Sequence, residues 1–454
     1  MKKRIWTKGL SFLLSGVIVA AALSGCSGNK QPDNADKKAG DTATTAAEVT
    51  AGTASGEVME LGMAWWGNQA RNERTEQALK KYSELYPEYK VKGEFYQWSD
   101  YWSKIATLAA GKKLPDLIQM DISYLSQYVS SGQLLDLKPY IESGQFDASG
   151  ISETVMQMGE VDGGIYGIAA GVNSPALLYN ETLLKENELT IEDNMSIDDF
   201  VNLAQEVYEK TGYRADIFNK GTYMEYWSRD NDLQIVDKKL TGDSPEAYEP
   251  YFQLLEDGIK NGWHIPVDIG SGSNGVEDDP LVYGSSPQTM TWCHLTTSNL
   301  LEAYQKAAPE GMKLGITTFP AQNPTKAKFL KPSMFFSVSA TTEKPDEAVA
   351  LLNYLINSVE ANEILLGERG EPVADQVSQA ISGLISESSR EAGVYINEVV
   401  APDCSPITPP APEGSSEVAD LLTKLEAKVA YGEVWAEQAA EEYFRKGNEI
   451  FSGK

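Results

Sequence analysis

The stretch Leu61–Tyr86, LGMAWWGNQARNERTEQALKKYSELY, changes its hydrophobic period midway and decides the fold class. Up to Trp65, apolar residues alternate with less constrained ones, as in a β-strand; from Gln69 they recur at steps of three and four, as on a helix. The sequence therefore predicts a strand that runs directly into a helix. Ligands of open α/β sheets bind beyond the carboxyl ends of the strands, beside helix N-termini. We expect this junction to form one wall of a binding site.

Flat rings and polar groups are concentrated at this junction. The candidates for ligand contact are Trp65, Trp66, Asn68 and Arg71. Adjacent residues of a strand point to opposite faces, so at most one tryptophan of the pair can face a given core. We predict that at least one of them contacts a ligand. The alternative is that both rings are buried in hydrophobic cores, since tryptophan is highly buried on average.

The first 56 residues are typical of a leader and a tether. Basic residues precede an apolar run, Leu10–Leu23, which is too short to span a bilayer comfortably and indicates a signal peptide. The run ends in Leu23-Ser24-Gly25-Cys26, which resembles a bacterial lipoprotein signal. This resemblance implies that residues 1–25 are removed and that Cys26 carries a lipid anchor on the extracytoplasmic face of the membrane; an ordinary signal peptide with an incidental cysteine is the alternative. Residues 26–56 have too few apolar side chains to fold, which predicts a disordered tether.

The chain is strongly acidic, with a net charge of −28 at pH 7. Removal of residues 1–25 takes away four basic and no acidic residues, so the mature charge is −32, from 34 basic and 66 acidic residues. Nucleic acid is therefore not an expected partner, because its binding needs a basic face. With Cys26 lipidated, Cys293 and Cys404 remain, and the sequence leaves open whether they form a disulfide.

The rest of the chain, about 400 residues, is too long for one core and predicts two lobes. Its first half continues the alternation of strands and helices. Further aromatic and polar side chains fall at or near the predicted strand ends. These candidates are Trp98, Trp102, Gln119, Asp121, Tyr124 and Asn173.

Several short motifs carry a family resemblance. The run Ala109-Ala110-Gly111-Lys112-Lys113-Leu114-Pro115-Asp116-Leu117 is similar to the small-Gly-x-x-Pro-Asp-aliphatic signature of family 1 extracellular solute-binding proteins. Gly163–Ile168, Leu177–Asn180 and Lys344–Ala348 resemble later motifs of that family, in the same order and spacing. The resemblance implies an α/β fold of the type II periplasmic-binding-protein class, with two lobes and a hinged cleft. It also implies a substrate-binding component of an ABC sugar importer, which acts as a monomer with a membrane permease as partner.

The lobe boundaries follow from three predicted crossings of the chain. We expect these at the glycine-rich run Gly163–Ile168, near Thr289–His294, and after Phe335–Val338. They place residues 57–171 and 292–338 in the N-terminal lobe, and residues 172–291 and 339–454 in a C-terminal lobe with a helical end. Several crossings allow the lobes to hinge on more than one strand.

The aromatic side chains indicate which class of ligand the protein binds. Sugars present apolar C–H faces and polar hydroxyl edges, so aromatic side chains interspersed with amides, carboxylates and guanidiniums indicate a carbohydrate. Their number favours an oligosaccharide, and the Trp-Trp-Gly-x-x-x-Arg opening resembles family members associated with plant-cell-wall oligosaccharides, pectic ones included. One hypothesis is that Arg71 or Arg74 pairs with a uronate carboxylate. The alternative for Arg74 is an ordinary charge on a helix surface.

The second lobe and the late loop supply the remaining candidates. They are Tyr226, Trp227, Trp292, His294 and, in a loop that resembles one closing over ligands in the family, Arg369. The alternative for Tyr226 and Trp227 is helix packing. The alternative for Arg369 and its neighbour Glu368 is a local salt bridge.

A secreted glycoside hydrolase is the main alternative function, and a surface carbohydrate adhesin is another. No local motif singles out a catalytic carboxylate pair. Cys293 and His294 are neighbours on a predicted strand, so their side chains point apart and cannot act as nucleophile and base. The histidines and cysteines match no zinc pattern, and Gly270–Asp279 departs from the calcium-loop spacing. We therefore predict a binding protein, not an enzyme, with neither metal nor cofactor.

Overall fold

Two β-sheets with helices packed against them organise the chain. The computed structural model describes residues 58–218, 221–270, 275–406, 412 and 414–453, which belong to one unit, Gly56–Lys454. The predicted signal peptide, Cys26 and nearly all of the tether lie outside the described residues. The strands are β1 (Met59–Trp66), β2 (Tyr89–Tyr96), β3 (Leu117–Met120), β4 (Glu160–Val161), β5 (Gly164–Ile165), β6 (Ile168–Asn173), β7 (Pro175–Asn180), β8 (Arg214–Asp216), β9 (Thr291–Thr297), β10 (Leu314–Thr317) and β11 (Lys331–Val338).

Helices account for most of the remaining regular structure. They are α1 (Gln69–Leu85), α2 (Trp98–Ala110), α3 (Ile122–Ser130), α4 (Lys138–Glu142), α5 (Glu153–Gln157), α6 (Glu181–Glu186), α7 (Ile197–Thr211), α8 (Thr222–Asp230), α9 (Glu249–Asn261), α10 (Val267–Gly270), α11 (Leu301–Ala307), α12 (Pro324–Ala327), α13 (Pro345–Asn357), α14 (Val359–Leu365), α15 (Asp375–Ile381), α16 (Glu387–Val394), α17 (Ser415–Ala430) and α18 (Ala436–Phe451). A π-helical turn, Tyr395–Val400, follows α16.

The predicted switch from strand to helix occurs at β1 and α1. Asn68 is the N-cap of α1, and its side-chain oxygen accepts a hydrogen bond of 2.8 Å from the backbone N–H of Arg71. Such a cap satisfies a backbone donor that the first helical turn leaves unpaired. Asn68 thereby fixes where the helix begins.

The first sheet has the strand order β2-β1-β3-β11-β6. Strands β1, β2 and β3 are parallel, and β11 runs antiparallel to both β3 and β6. The carboxyl ends of β1, β2, β3 and β6 therefore meet at one edge, which contains Trp66, Tyr96, Met120 and Asn173. Ligands of parallel sheets bind at such an edge.

The second sheet has the order β10-β7-β9-β8. Pro175 at the start of β7 pairs with Thr297 at the end of β9, so the residues after β9 lie beside the point where the chain leaves the first sheet. Ser298 fixes this point, because its backbone N–H donates to the carbonyl of Ser174 over 2.9 Å and its hydroxyl accepts from the Ser174 N–H over 3.1 Å.

Each sheet has its own hydrophobic core, and the chain passes between the cores at different places from those predicted. At the first passage, Ala176 packs in the first core and Leu177 in the second. At the second passage, Phe329 packs in the second core and Leu330 in the first. The third passage lies between Val400, in the first core, and α17, in the second.

The predicted lobe boundaries differ from this arrangement in two segments. Residues 292–329 belong with the second sheet, because β9 and β10 both pair with β7; only β11 returns to the first sheet. The segment from α13 to Val400, expected in the C-terminal lobe, contributes side chains to the first core, among them Leu351, Leu365 and Val400. An apolar pattern predicts a strand or an amphipathic helix, but it does not specify which sheet that element joins.

Within the described residues, no helix is both long and apolar enough to cross a membrane. Cys293 is buried and Cys404 half-buried, and both are free thiols. The question that the sequence left open about these two cysteines is thereby answered in favour of free thiols.

Candidate functional site

Four aromatic side chains form a continuous cluster at the carboxyl edge of the first sheet. The Trp66 ring lies 5.0 Å from Trp98 and 5.6 Å from Trp102 between centroids, and Trp102 stacks on Tyr124 at 3.7 Å and 17°. Trp66 ends β1, Trp98 and Trp102 lie one turn apart on α2, and Tyr124 is in the first turn of α3. The structure therefore brings together rings that the sequence places at the ends of three strands.

This cluster is only partly covered. Trp98 is 46% exposed, whereas Trp66 and Trp102 are nearly buried beneath it. The indole nitrogen of Trp102 is buried and has no hydrogen-bond partner among the described residues. Asp121 is the N-cap of α3, the helix that carries Tyr124, and one of its carboxylate oxygens accepts from the Ser123 N–H over 3.0 Å. An exposed ring with polar groups nearby is the surface that a sugar face requires.

Trp65, which was predicted as a candidate ligand contact, is not part of this surface. Its side chain is fully buried on the opposite face of β1, where its indole N–H donates to Asn72 Oδ1 over 3.0 Å. The alternation of a strand separates Trp65 from Trp66, as expected. Of the two, only Trp66 lies in the aromatic cluster.

A buried arginine lies behind the aromatic cluster. The guanidinium of Arg369 donates to Gln119 Oε1 and to Thr75 Oγ1, each over 2.9 Å, and lies over the Phe336 ring. Gln119 in turn donates to the carbonyl of Trp66 over 3.0 Å. Burial lowers the pKa of Arg369 to about 9, and the nearby positive charge of Arg71 adds to this effect. Arg369 and Gln119 thus support the site from inside, and neither has a side chain open to solvent.

The loop that carries Arg369 is held against the first sheet. Glu371 exchanges two backbone hydrogen bonds of 2.9 Å with Val172 in β6, and Gly370 has φ of 98°, with a Cβ there lying 2.8 Å from the Val172 carbonyl oxygen. Arg71 Nη2 donates to the carbonyl of Glu368 over 2.9 Å, and Arg74 forms an ion pair of 3.5 Å with the Glu368 carboxylate. Glu368 is thus in a salt bridge, the alternative considered for it, and its partner is Arg74. In this structure the loop forms a wall against the first sheet.

A cavity of about 580 Å³ lies between this wall and the second sheet. Asn68, Arg71, Arg74 and Glu368 line it from the first sheet, and Ser298, Asn299 and Lys306 line it from the segment after β9. Asn173, at the chain crossing, has a buried Oδ1 atom without a partner among the described residues. Unpartnered buried polar atoms require an explanation, and a ligand or bound water is the usual one.

The predicted contacts from the second lobe are all in its core. Trp292 stacks on Phe200 at 5.8 Å, Trp227 contacts Tyr251 at 5.4 Å, and Tyr226 packs on Phe319 at 5.0 Å. They lie away from the aromatic cluster, because β9 is an interior strand and the rings of α8 face the core. For Tyr226 and Trp227 this is the helix packing considered as the alternative.

His294, another predicted ligand contact, also lies in the interior of the second sheet. It is buried between two carboxylates, with Nδ1 3.0 Å from Asp216 and Nε2 3.6 Å from Asp279. Burial opposes ionisation of Asp216, but the hydrogen bond from His294 and the charges of both histidines hold the pKa of Asp216 below its ordinary value. Within the described residues, no group of histidine, cysteine and acidic side chains is arranged to hold a metal ion.

Ser298, Asn299 and Lys306 were missed in the sequence. The available signal was the polar run Thr296-Thr297-Ser298-Asn299 directly after the apolar part of β9. This run marks the end of a strand at the edge where the chain crosses between sheets, and such edges bind ligands.

Replacing Trp98 by alanine is expected to weaken ligand binding about ten-fold with little loss of stability, because the ring is half-exposed and contacts its neighbours edge-on. Titration calorimetry of the variant against wild type measures this. Trp435→Ala is the matched control, since that tryptophan is 68% exposed in the turn between α17 and α18. Equal affinities for the two variants would remove Trp98 from the site.

Comparison with known proteins gives a consistent assignment. The sequence model of the family described as bacterial extracellular solute-binding protein matches residues 77–380, about two thirds of the chain. An extracellular solute-binding protein of family 1 from Alicyclobacillus acidocaldarius is similar in structure, with a TM-score of 0.77 and 26% identity over 87% of this chain and 98% of that one.

Two further relatives have named ligands. A periplasmic oligogalacturonide-binding protein from Yersinia enterocolitica has a TM-score of 0.71 and 21% identity over 87% of this chain and 99% of that one, which shows the shared fold. The arabinooligosaccharide-binding protein of Bacillus subtilis (strain 168) is 22% identical over 206 residues, 44% of this chain and 42% of that relative, so the match spans about two fifths of its length. From the family match and the two-sheet fold, the chain belongs to the bacterial extracellular solute-binding proteins.

Proposed function

We propose that the protein is the substrate-binding subunit of an ABC importer and that it captures an oligosaccharide between its two cores. The observation that carries this proposal is the partly exposed cluster of Trp66, Trp98, Trp102 and Tyr124 at the carboxyl edge of the first sheet. Polar groups border it, and the interlobe cavity opens beside Asn68. The similar proteins named above, which bind oligogalacturonide and arabinooligosaccharide, support a plant-cell-wall sugar as ligand.

The three places where the chain passes between the cores suggest how a ligand is captured and presented to the permease. The two cores are joined at three places, so we infer that they act as two lobes that rotate about these crossings. A ligand that contacts both the aromatic cluster and the Ser298–Lys306 segment binds the closed form better than the open one. Only such differential affinity shifts the equilibrium toward closure. A permease that recognises the closed form then distinguishes the loaded protein from the empty one.

The location is part of the same proposal. We infer that Cys26 is lipidated after removal of residues 1–25 and that residues 26–56 tether a monomeric binding protein at the extracytoplasmic face of the membrane. The Leu23-Ser24-Gly25-Cys26 sequence and the composition of the tether support this.

A thermal-shift screen tests the function. An oligosaccharide present at about 100 times its dissociation constant is expected to raise the free energy of unfolding by about 2.7 kcal/mol, because it binds the folded state alone. The panel contains arabino-, galacto- and xylo-oligosaccharides and oligogalacturonides of two to five units, with their monosaccharides as controls. Chromatography of each mixture after incubation detects cleavage. Cleavage of a bound sugar would favour the hydrolase alternative, and the absence of any shift would reject carbohydrate binding.

A further inference from the structure

A second cavity, of about 340 Å³, lies beside helix α8 and shares no lining residue with the interlobe cavity. We call it the apolar cavity, and its lining includes Ile122, Met224, Ile235, Phe329, Leu330 and Leu422. Among its nearly buried lining residues, only Ser228 and Tyr443 carry a polar side-chain group. The hydroxyl of Ser228 is already directed at the Met224 sulfur, 3.4 Å away.

The burial of the lining shows how the apolar cavity is oriented. Leu240 and Leu422 are almost completely buried and mark its closed end in the second core. Glu225, Ile235 and Lys331 are exposed and mark its opening. The cavity therefore leads from the surface of the protein into the second lobe.

Both lobes and the aromatic cluster border this opening. Leu330 belongs to the first core and Ile122 packs against it, whereas Met224 belongs to the second core. The first turn of α3 carries both Ile122, in the lining, and Tyr124, in the aromatic cluster. A ligand on the aromatic cluster thus has the apolar cavity next to it.

The chemistry of the apolar cavity does not suit a bare sugar ring. A sugar carries a hydroxyl on most of its carbons and would lose hydrogen bonds to water on entering, with few partners in return. An aromatic ring loses none and buries a large apolar area. Dry apolar cavities of about 150 Å³ bind benzene, so about 340 Å³ has room for an aromatic ring and a short linker.

We propose that the apolar cavity is a subsite for an aromatic substituent carried by the captured oligosaccharide. This deepens the proposed function and rests on it. The sugar faces lie on the aromatic cluster, and an aromatic group joined to the sugar by an ester or glycosidic bond enters the apolar cavity beside it. Because the lining comes from both lobes, such a group contributes affinity for the closed form in particular.

Paired ligands that differ only in the substituent test this proposal. The pairs are 4-nitrophenyl and methyl glycosides of arabino-, galacto- and xylo-trisaccharides, and feruloylated arabinotriose with its saponified form. In calorimetry, the aromatic member of at least one pair is expected to bind about ten-fold or more tighter, with a more negative heat-capacity change, because burial of the ring removes apolar surface from water. Free 4-nitrophenol and methyl ferulate are expected to bind far more weakly.

Two variants assign the preference to the apolar cavity. Ala419→Trp, at an exposed lining position of α17, fills the cavity, and Ile235→Asn places an amide at its opening. Each is expected to reduce the aromatic preference below about three-fold and to leave the affinity for the unsubstituted sugar unchanged. Ala110→Trp, at the exposed end of α2, and Val236→Asn, at the exposed neighbour of Ile235, are the matched controls and should keep the full preference.

The outcomes separate the two proposals. Equal affinities within every pair overturn the aromatic subsite and leave carbohydrate binding in place. A preference that survives both Ala419→Trp and Ile235→Asn also overturns it, because the aromatic group then binds elsewhere. Free aromatic compounds that bind as tightly as the substituted sugars refute a sugar-borne group as the occupant. If no sugar binds, with or without the substituent, both proposals fail.

Discussion

Replacing Trp65 by alanine is expected to lower the free energy of unfolding by about 3–5 kcal/mol and to leave the aromatic cluster of the cleft in place. The ring is fully buried and packs over Gly93, where a Cβ would lie only 2.7 Å from it. Its removal leaves a cavity in the first core and also deprives Asn72 Oδ1 of the indole N–H that it accepts. The expected loss of stability therefore has two causes: lost packing in the first core, and a buried hydrogen-bond acceptor left without its partner.

Urea denaturation followed by circular dichroism measures this loss. Trp435→Ala, at a tryptophan that is 68% exposed, is the control and is expected to change the free energy of unfolding by about 0.5 kcal/mol or less. The folded Trp65 variant should retain ligand affinity within a few-fold. A Trp65 variant as stable as the control, or one that loses ligand without losing stability, would contradict the assignment of this ring to the core.

The neighbouring tryptophans show which part of the site could be predicted from sequence. Trp66, Trp98, Tyr124 and Trp102 each lie at, or one turn beyond, the end of a strand in the parallel part of a sheet. Since those ends meet at one edge, local periodicity is enough to bring the four rings together. The α/β class and the strand-to-helix junction at Asn68 could be predicted for the same reason, because both depend on the local hydrophobic period.

The second lobe could not be predicted in this way. Whether Trp292 faces a cleft or a core depends on whether β9 is an interior or an edge strand, which is decided by its pairing with β7 and β8. That pairing joins segments far apart in the chain, so no periodic pattern of residues in the sequence reveals it. The burial of Arg369 is equally non-local, because Thr75 and Gln119 come from distant parts of the chain.

The free energy of unfolding is expected to depend on pH through Glu426, whose carboxyl group is buried in the second core. It accepts hydrogen bonds from the Tyr251 hydroxyl over 2.6 Å and from the Gly221 N–H over 3.2 Å. Burial raises the pKa of Glu426 to about 7, although these hydrogen bonds favour the carboxylate. The folded state therefore binds this proton more tightly than the unfolded state, where the pKa is near 4.5.

The sign of the effect follows from this difference. The contribution of Glu426 to stability is complete below pH 4.5, where both states are protonated, and is lost as the pH rises through about 7. At roughly 1.4 kcal/mol per pKa unit, the total loss is on the order of 3 kcal/mol. Glu426→Gln keeps the shape and cannot ionise, and its amide can donate to the Tyr251 oxygen while its carbonyl accepts from Gly221.

The variant is therefore expected to be more stable than wild type at pH 8 by up to about 3 kcal/mol and to match it near pH 4.5. Urea denaturation at both pH values measures the difference, and other titrating groups cancel because both proteins retain them. Glu433→Gln, in the exposed turn after α17, is the matched control and should show no pH-dependent gain. A constant difference between Glu426→Gln and wild type across this range would show that the buried carboxyl group does not change its ionisation on folding.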